Sequence, residues 1–173
     1  MSYKESLINC MEQEINVAKT LYTKLPKDSL DFSPGEKMRT TLEVLRYLTW
    51  CASSTVNFYM IQETDPEKAN SNYADYYNRA KDMKPGEFPQ KMDEQFAEIK
   101  TLLAPLSDED LLNKKVTLPW NIEKPLGEAL METALKWLTA YKMQLFLYAK
   151  MGNPELNTID CWIYTEPQKE KAD

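Results

Sequence analysis

The fold of this chain is decided by the stretch LGEALMETALKWLTAYKMQLFLYAKMG, which covers residues 126–152. Its apolar residues recur at intervals of three or four, so they share one face of a helix. They are Leu130, Ala134, Trp137, Tyr141, Leu145 and Tyr148. The stretch therefore predicts a long amphipathic helix over about 126–151, whose apolar face must be covered by other helices.

The same periodicity occurs in three earlier segments, which predict helices over about 3–25, 40–62 and 89–104. Thr40 and Glu43 have the spacing of a capping box at the start of the second helix. Residues 63–86 are too many for an ordinary connection, and we expect a crossover that carries a short helix at about 73–81. The sequence predicts an all-α four-helix bundle that forms a single domain over 1–173, with a frayed tail at about 165–173.

The composition excludes several classes of protein. The chain has 173 residues, no histidine and a net charge of −6, with 27 acidic and 21 basic residues. Without an imidazole there is no Ser-His or Cys-His nucleophile pair, and the usual zinc and non-haem iron sites lose their commonest ligand. The basic residues are scattered, so we expect no nucleic-acid partner. No apolar run is long enough for a membrane span.

Three cysteines without a C-x-x-C spacing indicate reduced thiols and favour a cytoplasmic location.

Two stretches resemble the DinB/YfiT-like superfamily of metalloenzymes. Within residues 41–48, TLEVLRYL, the run 43–48 follows the E-V-L-x-H-L part of the family pattern S-I-x-E-V-L-x-H-L in the second helix. Residues 137–145, WLTAYKMQL, occupy the stretch where the family commonly has H-x-x-x-H-R-G-Q-L, and Gly152 fits its terminal glycine. The resemblance covers most of the chain in helix order and linker lengths. It implies an up-down-down-up bundle with a long crossover connection.

The same resemblance places the family's three metal-binding histidines at positions that hold other residues here. Carried over one by one, these positions are Tyr47, Trp137 and Tyr141. An indole offers no free lone pair, and a phenol with a reference pKa of about 10 is a poor ligand at neutral pH. We therefore expect no metal and no cofactor, and the metal-dependent thiol transfer that the family implies loses its metal.

Two interpretations of these aromatic positions stay open. The rings either fill the space of the metal or line a pocket for a small apolar or aromatic ligand. Gln144, three residues after Tyr141, is expected to bond a ligand or a tyrosine hydroxyl. Cys51, one turn after Tyr47, is either an inert buried thiol or a nucleophile.

The sequence thus favours a non-catalytic protein, either a small-ligand binder or a dimeric scaffold. The alternative is a metal-independent or unusually liganded enzyme of the DinB-like transferase or hydrolase type that uses Tyr47, Tyr141 or Cys51. The resemblance also implies a homodimer, to which aromatic residues outside the helical stripes would contribute.

Overall fold

A computed structural model describes residues 1–61 and 66–164 of the chain, without the side chains of residues 66–70. The described residues form eight α-helices, one π-helical segment, two short 3₁₀ turns and one hairpin. The α-helices are α1 (Tyr3–Thr23), α2 (Thr41–Leu48), α3 (Cys51–Ile61), α4 (Pro66–Ala80), α5 (Phe88–Leu103), α6 (Asp108–Asn113), α7 (Leu126–Leu130) and α8 (Lys136–Gly152). The π-helical segment is Met131–Leu135, and the 3₁₀ turns are Pro85–Glu87 and Thr158–Cys161.

The predicted all-α fold is confirmed. Helix α1 packs against α5 and α8, α3 packs against α5, and α2 packs against α8. Each of these five helices contributes buried residues to the same hydrophobic core, for example Ile15, Leu45, Val56, Ile99 and Leu145. The up-down-down-up order of the helices stays a prediction.

None of the helices in residues 1–61 and 66–164 combines the length and the apolar character that a membrane crossing requires.

The predicted helix over 40–62 is wrong as one continuous element, because the chain breaks between α2 and α3. The expected capping box is present, since Thr40 Oγ1 accepts from the N–H of Glu43 and Glu43 Oε2 accepts from the N–H of Thr40. At the other end of α2, the N–H groups of Thr49 and Trp50 bond back three residues, to the carbonyls of Arg46 and Tyr47. This tight turn ends α2 one residue before Thr49, and residue 62 lies outside the described residues.

The break is closed by the side chain of Gln95 on α5, which is 2% exposed. Its Oε1 accepts from the N–H groups of Ala52 and Ser53, at 3.0 and 3.3 Å, at the start of α3. Its Nε2 donates to the carbonyl of Leu48, at 2.8 Å, at the end of α2. Helix ends leave unpaired backbone groups that must find partners when they are buried. One amide side chain therefore satisfies both ends of the break.

The predicted helix over 126–151 is also divided, into α7, the π-helical segment and α8. A π-helical turn holds an extra residue, so it rotates the following helix about its axis. As a result Leu138, at 1% exposure, occupies the core where the sequence pattern placed Trp137. Trp137 is only half-buried. Gly152 is the last residue of α8, and a Cβ there would come within 2.5 Å of Pro26.

The short helix expected at about 73–81 is longer than predicted, since α4 covers Pro66–Ala80. Residues 62–65 and the tail predicted to fray at 165–173 lie outside the described residues. After α6, strands β1 (Lys115–Thr117) and β2 (Glu123–Pro125) form an antiparallel hairpin with Val116 opposite Lys124. Its turn holds Asn121 at φ 63°, a left-handed conformation that asparagine tolerates.

A buried lysine is the least expected residue of the core. Lys142 on α8 is fully buried, and its Nζ lies 2.8 Å from Glu14 Oε2 on α1, although neither atom makes a hydrogen bond of standard geometry. The same Nζ lies 4.5 Å from the centroid of the Trp162 ring. A buried charge needs such partners, so the chain after α8 is held over an ion pair between α1 and α8.

Replacing Gln95 tests whether one side chain holds the break. We expect Gln95→Ala to lower the free energy of unfolding by about 2–4 kcal/mol, because buried backbone groups of both helices lose their partners. Gln90→Ala on the exposed face of α5 is the matched control and should change stability by less than about 0.5 kcal/mol. Urea unfolding followed by circular dichroism measures both, and equal stabilities of the two variants would contradict the role of Gln95.

Candidate functional site

Two of the three positions carried over from the family meet in space. Tyr47 on α2 and Tyr141 on α8 have ring centroids 4.3 Å apart and ring planes inclined by 53°. Tyr47 also contacts Trp50 in the break, at 4.8 Å between centroids. Trp50 in turn contacts Tyr73 on α4, at 5.0 Å. The break between α2 and α3 thus lies beside a chain of four rings that joins α8 to α4.

Trp137, the third position, lines a cleft that it shares with Tyr47. The cleft has a volume of about 410 Å³ and lies between α3, α4 and the start of α8. Its aromatic lining consists of Tyr47, Phe58, Tyr59, Tyr73, Tyr76 and Trp137. We call it the aromatic cleft. Tyr141 does not line the aromatic cleft. Tyr47 and Tyr141 are therefore a pair of contacting rings, and Trp137 lies apart from Tyr141 in the cleft that it shares with Tyr47.

Three hydroxyls of the aromatic cleft donate hydrogen bonds to other groups of the chain. The hydroxyls of Ser54 and Thr55 donate to the carbonyl of Cys51, at 3.2 and 2.7 Å. The hydroxyl of Tyr76 donates to Glu98 at 2.8 Å. Tyr59 is different: its side chain is 2% exposed, and its hydroxyl makes no hydrogen bond of standard geometry within the described residues, although Thr133 lies beside it.

Arg39, in the linker before α2, covers the rings of Tyr47 and Tyr141. Its guanidinium carbon lies 4.5 Å from the centroid of Tyr47 and 5.2 Å from that of Tyr141. Its Nη1 donates to the hydroxyl of Tyr141 at 3.0 Å. A cation over aromatic faces is stabilised by the negative charge of the ring faces. The positive charge beside the rings of Tyr47 and Tyr141 is therefore supplied by a side chain of the protein.

Gln144 acts on this cluster through Tyr148. Its Nε2 donates to the hydroxyl of Tyr148 at 2.6 Å, and that hydroxyl donates to the backbone carbonyl of Arg39 at 3.0 Å. Of the two roles that the sequence left open for Gln144, the structure has the bond to a tyrosine hydroxyl. The amide thereby helps to fix the backbone from which Arg39 extends.

Cys51 and Tyr47 are both held in their neutral forms. Cys51 is fully buried, and burial raises the pKa of its thiol to about 12. Burial also raises the pKa of Tyr47 far above its ordinary value, and the neighbouring Cys51 and Tyr141 add to the rise. The positive charge of Arg39 acts in the opposite direction but does not compensate. Neither group is a ready nucleophile at neutral pH.

The sequence patterns missed several residues of the site. Arg39 lies in a linker, and Phe58, Tyr59 and Tyr73 belong to helices whose relative placement depends on the break at Thr49 and Trp50. Tyr73 and Tyr76 lie one helical turn apart in the sequence, and this spacing was the signal that could have assigned α4 to the site. Within the described residues, no three His, Cys, Asp or Glu side chains come together as a metal-binding group.

No family model matches the sequence, and no curated protein matches it at a significant level. The structure is similar to the crystal structure of YjoA, a DinB-like protein from Bacillus subtilis, with a TM-score of 0.62. The superposition covers 88% of this chain and 96% of YjoA, and 17% of the residues are identical. With so few identical residues the similarity concerns the fold, and the chain has the DinB-like fold.

Proposed function

We propose that this chain is a metal-independent protein that binds a small aromatic or apolar molecule in the aromatic cleft. The volume of about 410 Å³ falls within the range of small-molecule sites, which are mostly apolar with a few placed polar groups. Six rings supply the apolar lining, and the hydroxyls of Ser54 and Thr55 belong to polar residues of the same lining. The observation that carries the proposal is this cleft lined mainly by aromatic rings.

The alternative is an enzyme that uses Tyr47, Tyr141 or Cys51. The raised pKa values of Tyr47 and Cys51 count against both as nucleophiles or bases at neutral pH. Tyr141 is the remaining candidate, and its hydroxyl accepts a hydrogen bond from the guanidinium of Arg39 at 3.0 Å.

Two further proposals concern the setting of the protein. We infer a homodimer, which is supported by exposed aromatic residues at Tyr77, Trp120 and Trp162. We also infer a cytoplasmic location, supported by Cys10, Cys51 and Cys161, which are all free thiols. Light scattering of the purified chain at several concentrations measures its oligomeric state directly.

A substitution that fills the aromatic cleft tests the ligand-binding proposal. The probe is the neutral molecule 4-phenylbutan-1-ol. At 100 times its dissociation constant the probe should raise the melting temperature of the unchanged protein by about 5–10 °C, since binding adds about 2.7 kcal/mol. Ser54→Phe places a ring inside the cleft and should abolish this shift. Asn57→Phe, on the same helix but outside the cleft lining, is the matched control and should keep it. A shift that persists in Ser54→Phe would place the probe elsewhere.

Thiol labelling separates the binder from a cysteine-dependent enzyme. Cys10 is exposed, whereas Cys51 and Cys161 are buried. We expect a maleimide at pH 7 to label Cys10 quickly and Cys51 only after denaturation, because the thiol of Cys51 is both inaccessible and protonated. Mass spectrometry of digested peptides reports each site, with Cys10→Ser as the control for background labelling. Rapid native labelling of Cys51 would restore it as a candidate nucleophile.

A further inference from the structure

A second cleft lies beside the aromatic cleft and has a different character. Its volume is about 330 Å³, and it shares Tyr47 and Tyr73 with its neighbour. Arg39, Arg46 and Lys81 also line it, together with the single carboxylate of Glu43. In a chain with a net charge of −6, three cations against one carboxylate form a local excess of positive charge. We call it the basic cleft.

The internal bonds of the basic cleft do not neutralise this charge. Glu43 is committed to the N-terminus of α2, where its Oε2 accepts from the N–H of Thr40 at 2.7 Å. Arg46 donates through Nε and Nη2 to a neutral group, the carbonyl of Met83, at 3.2 and 3.1 Å. Among the side chains that the structure describes, none of the three cations forms an ion pair with a carboxylate.

Arg39 is the cation that is best placed to meet a ligand. Two ring faces and a hydrogen bond to Tyr141 hold its guanidinium, and Tyr148 holds its backbone carbonyl. A guanidinium fixed in this way loses little side-chain entropy when it binds an anion, and its planar donors fit a carboxylate. Only one of its terminal nitrogens is used by Tyr141, so donors remain.

The two clefts share two lining residues. Tyr47 and Tyr73 line both clefts, and Tyr73 is 54% exposed although its ring contacts Trp50. A molecule with an apolar ring and a short chain that ends in an anion would therefore span both clefts past the exposed ring of Tyr73. The arrangement selects for a ligand that has both parts.

We propose that the ligand is an arylalkyl carboxylate, with its ring in the aromatic cleft and its carboxylate beside Arg39 in the basic cleft. This inference rests on the proposed function, because it names the class of molecule that the aromatic cleft takes. Arg39 pairs with the carboxylate, and Arg46 and Lys81 add to the attraction without needing direct contact. Neutral molecules with the same ring would bind through the aromatic cleft alone.

A matched pair of probes tests this inference. 4-Phenylbutyrate and 4-phenylbutan-1-ol share a ring and a chain and differ in the terminal group. We expect the carboxylate to bind the unchanged protein about tenfold more tightly in a calorimetric titration, because a charge-assisted pair replaces a neutral contact. Added salt should weaken the binding of 4-phenylbutyrate and leave the binding of 4-phenylbutan-1-ol nearly unchanged.

Substitutions of single cations test which residue causes the preference for the carboxylate probe. Arg39→Gln should remove the preference for the carboxylate while the alcohol keeps its affinity. Arg79→Gln is the matched control, since Arg79 pairs with Glu98 outside both clefts, and it should keep the preference. If Arg39→Gln does not fold, the exposed Lys81 replaces it: Lys81→Gln should reduce the preference, and an unchanged preference would overturn the inference.

The possible failures are distinguishable. Equal binding of the two probes to the unchanged protein would overturn the carboxylate preference and leave the aromatic cleft as a neutral site. A preference that survives Arg39→Gln would also overturn it. Binding of neither probe would instead remove the proposed function itself.

Discussion

The side-chain amide of Gln95 is the interaction on which the rest of the structure depends. It bonds to the last turn of α2 and to the first N–H groups of α3, so one residue of α5 sets where one helix ends and the next begins. The break leaves Tyr47 against α8 and Trp50 against α4. A single straight helix without this turn would pair these backbone groups within itself. It would not arrange the rings of Tyr47 and Trp50 around a cleft.

Charge is the second organising feature of the site. At the positions where the resemblance to DinB-like proteins implies metal ligands, this chain has two phenols and one indole, and the guanidinium of Arg39 covers both phenol rings. In our account the fixed cation is part of the polypeptide, and the cleft beside it is open to an organic molecule. Cys51 is buried and Tyr47 is half-buried, and both are neutral, which agrees with a binding role because neither is poised to react.

The sequence predicted those parts of the fold that follow from local periodicity. The apolar stripes indicated the helical units, and Thr40 with Glu43 predicted a helix start that the structure has. The resemblance to DinB-like proteins brought attention to Tyr47 and Tyr141, whose rings lie 4.3 Å apart. These patterns involve residues that are neighbours along one helix or share a motif.

Features that depend on contacts between distant segments could not be predicted in this way. Gln95 has the sequence context of an exposed helical glutamine, and only packing places it in the break of another helix. The π-helical segment exchanges Leu138 for Trp137 in the core without any signal in hydrophobic spacing. Lys142 is buried because Glu14 and Trp162 lie around it, and Arg39 comes from a linker that carries no motif.

We expect the site to bind an organic molecule without a metal. Titration calorimetry of 4-phenylbutyrate into protein that has been stripped with a chelator, and into the same protein after divalent zinc or manganese is restored, distinguishes binding by the chain alone from binding through a metal. One molecule should bind per chain with the same dissociation constant in both samples. Binding that occurs only after the metal is restored would contradict this expectation.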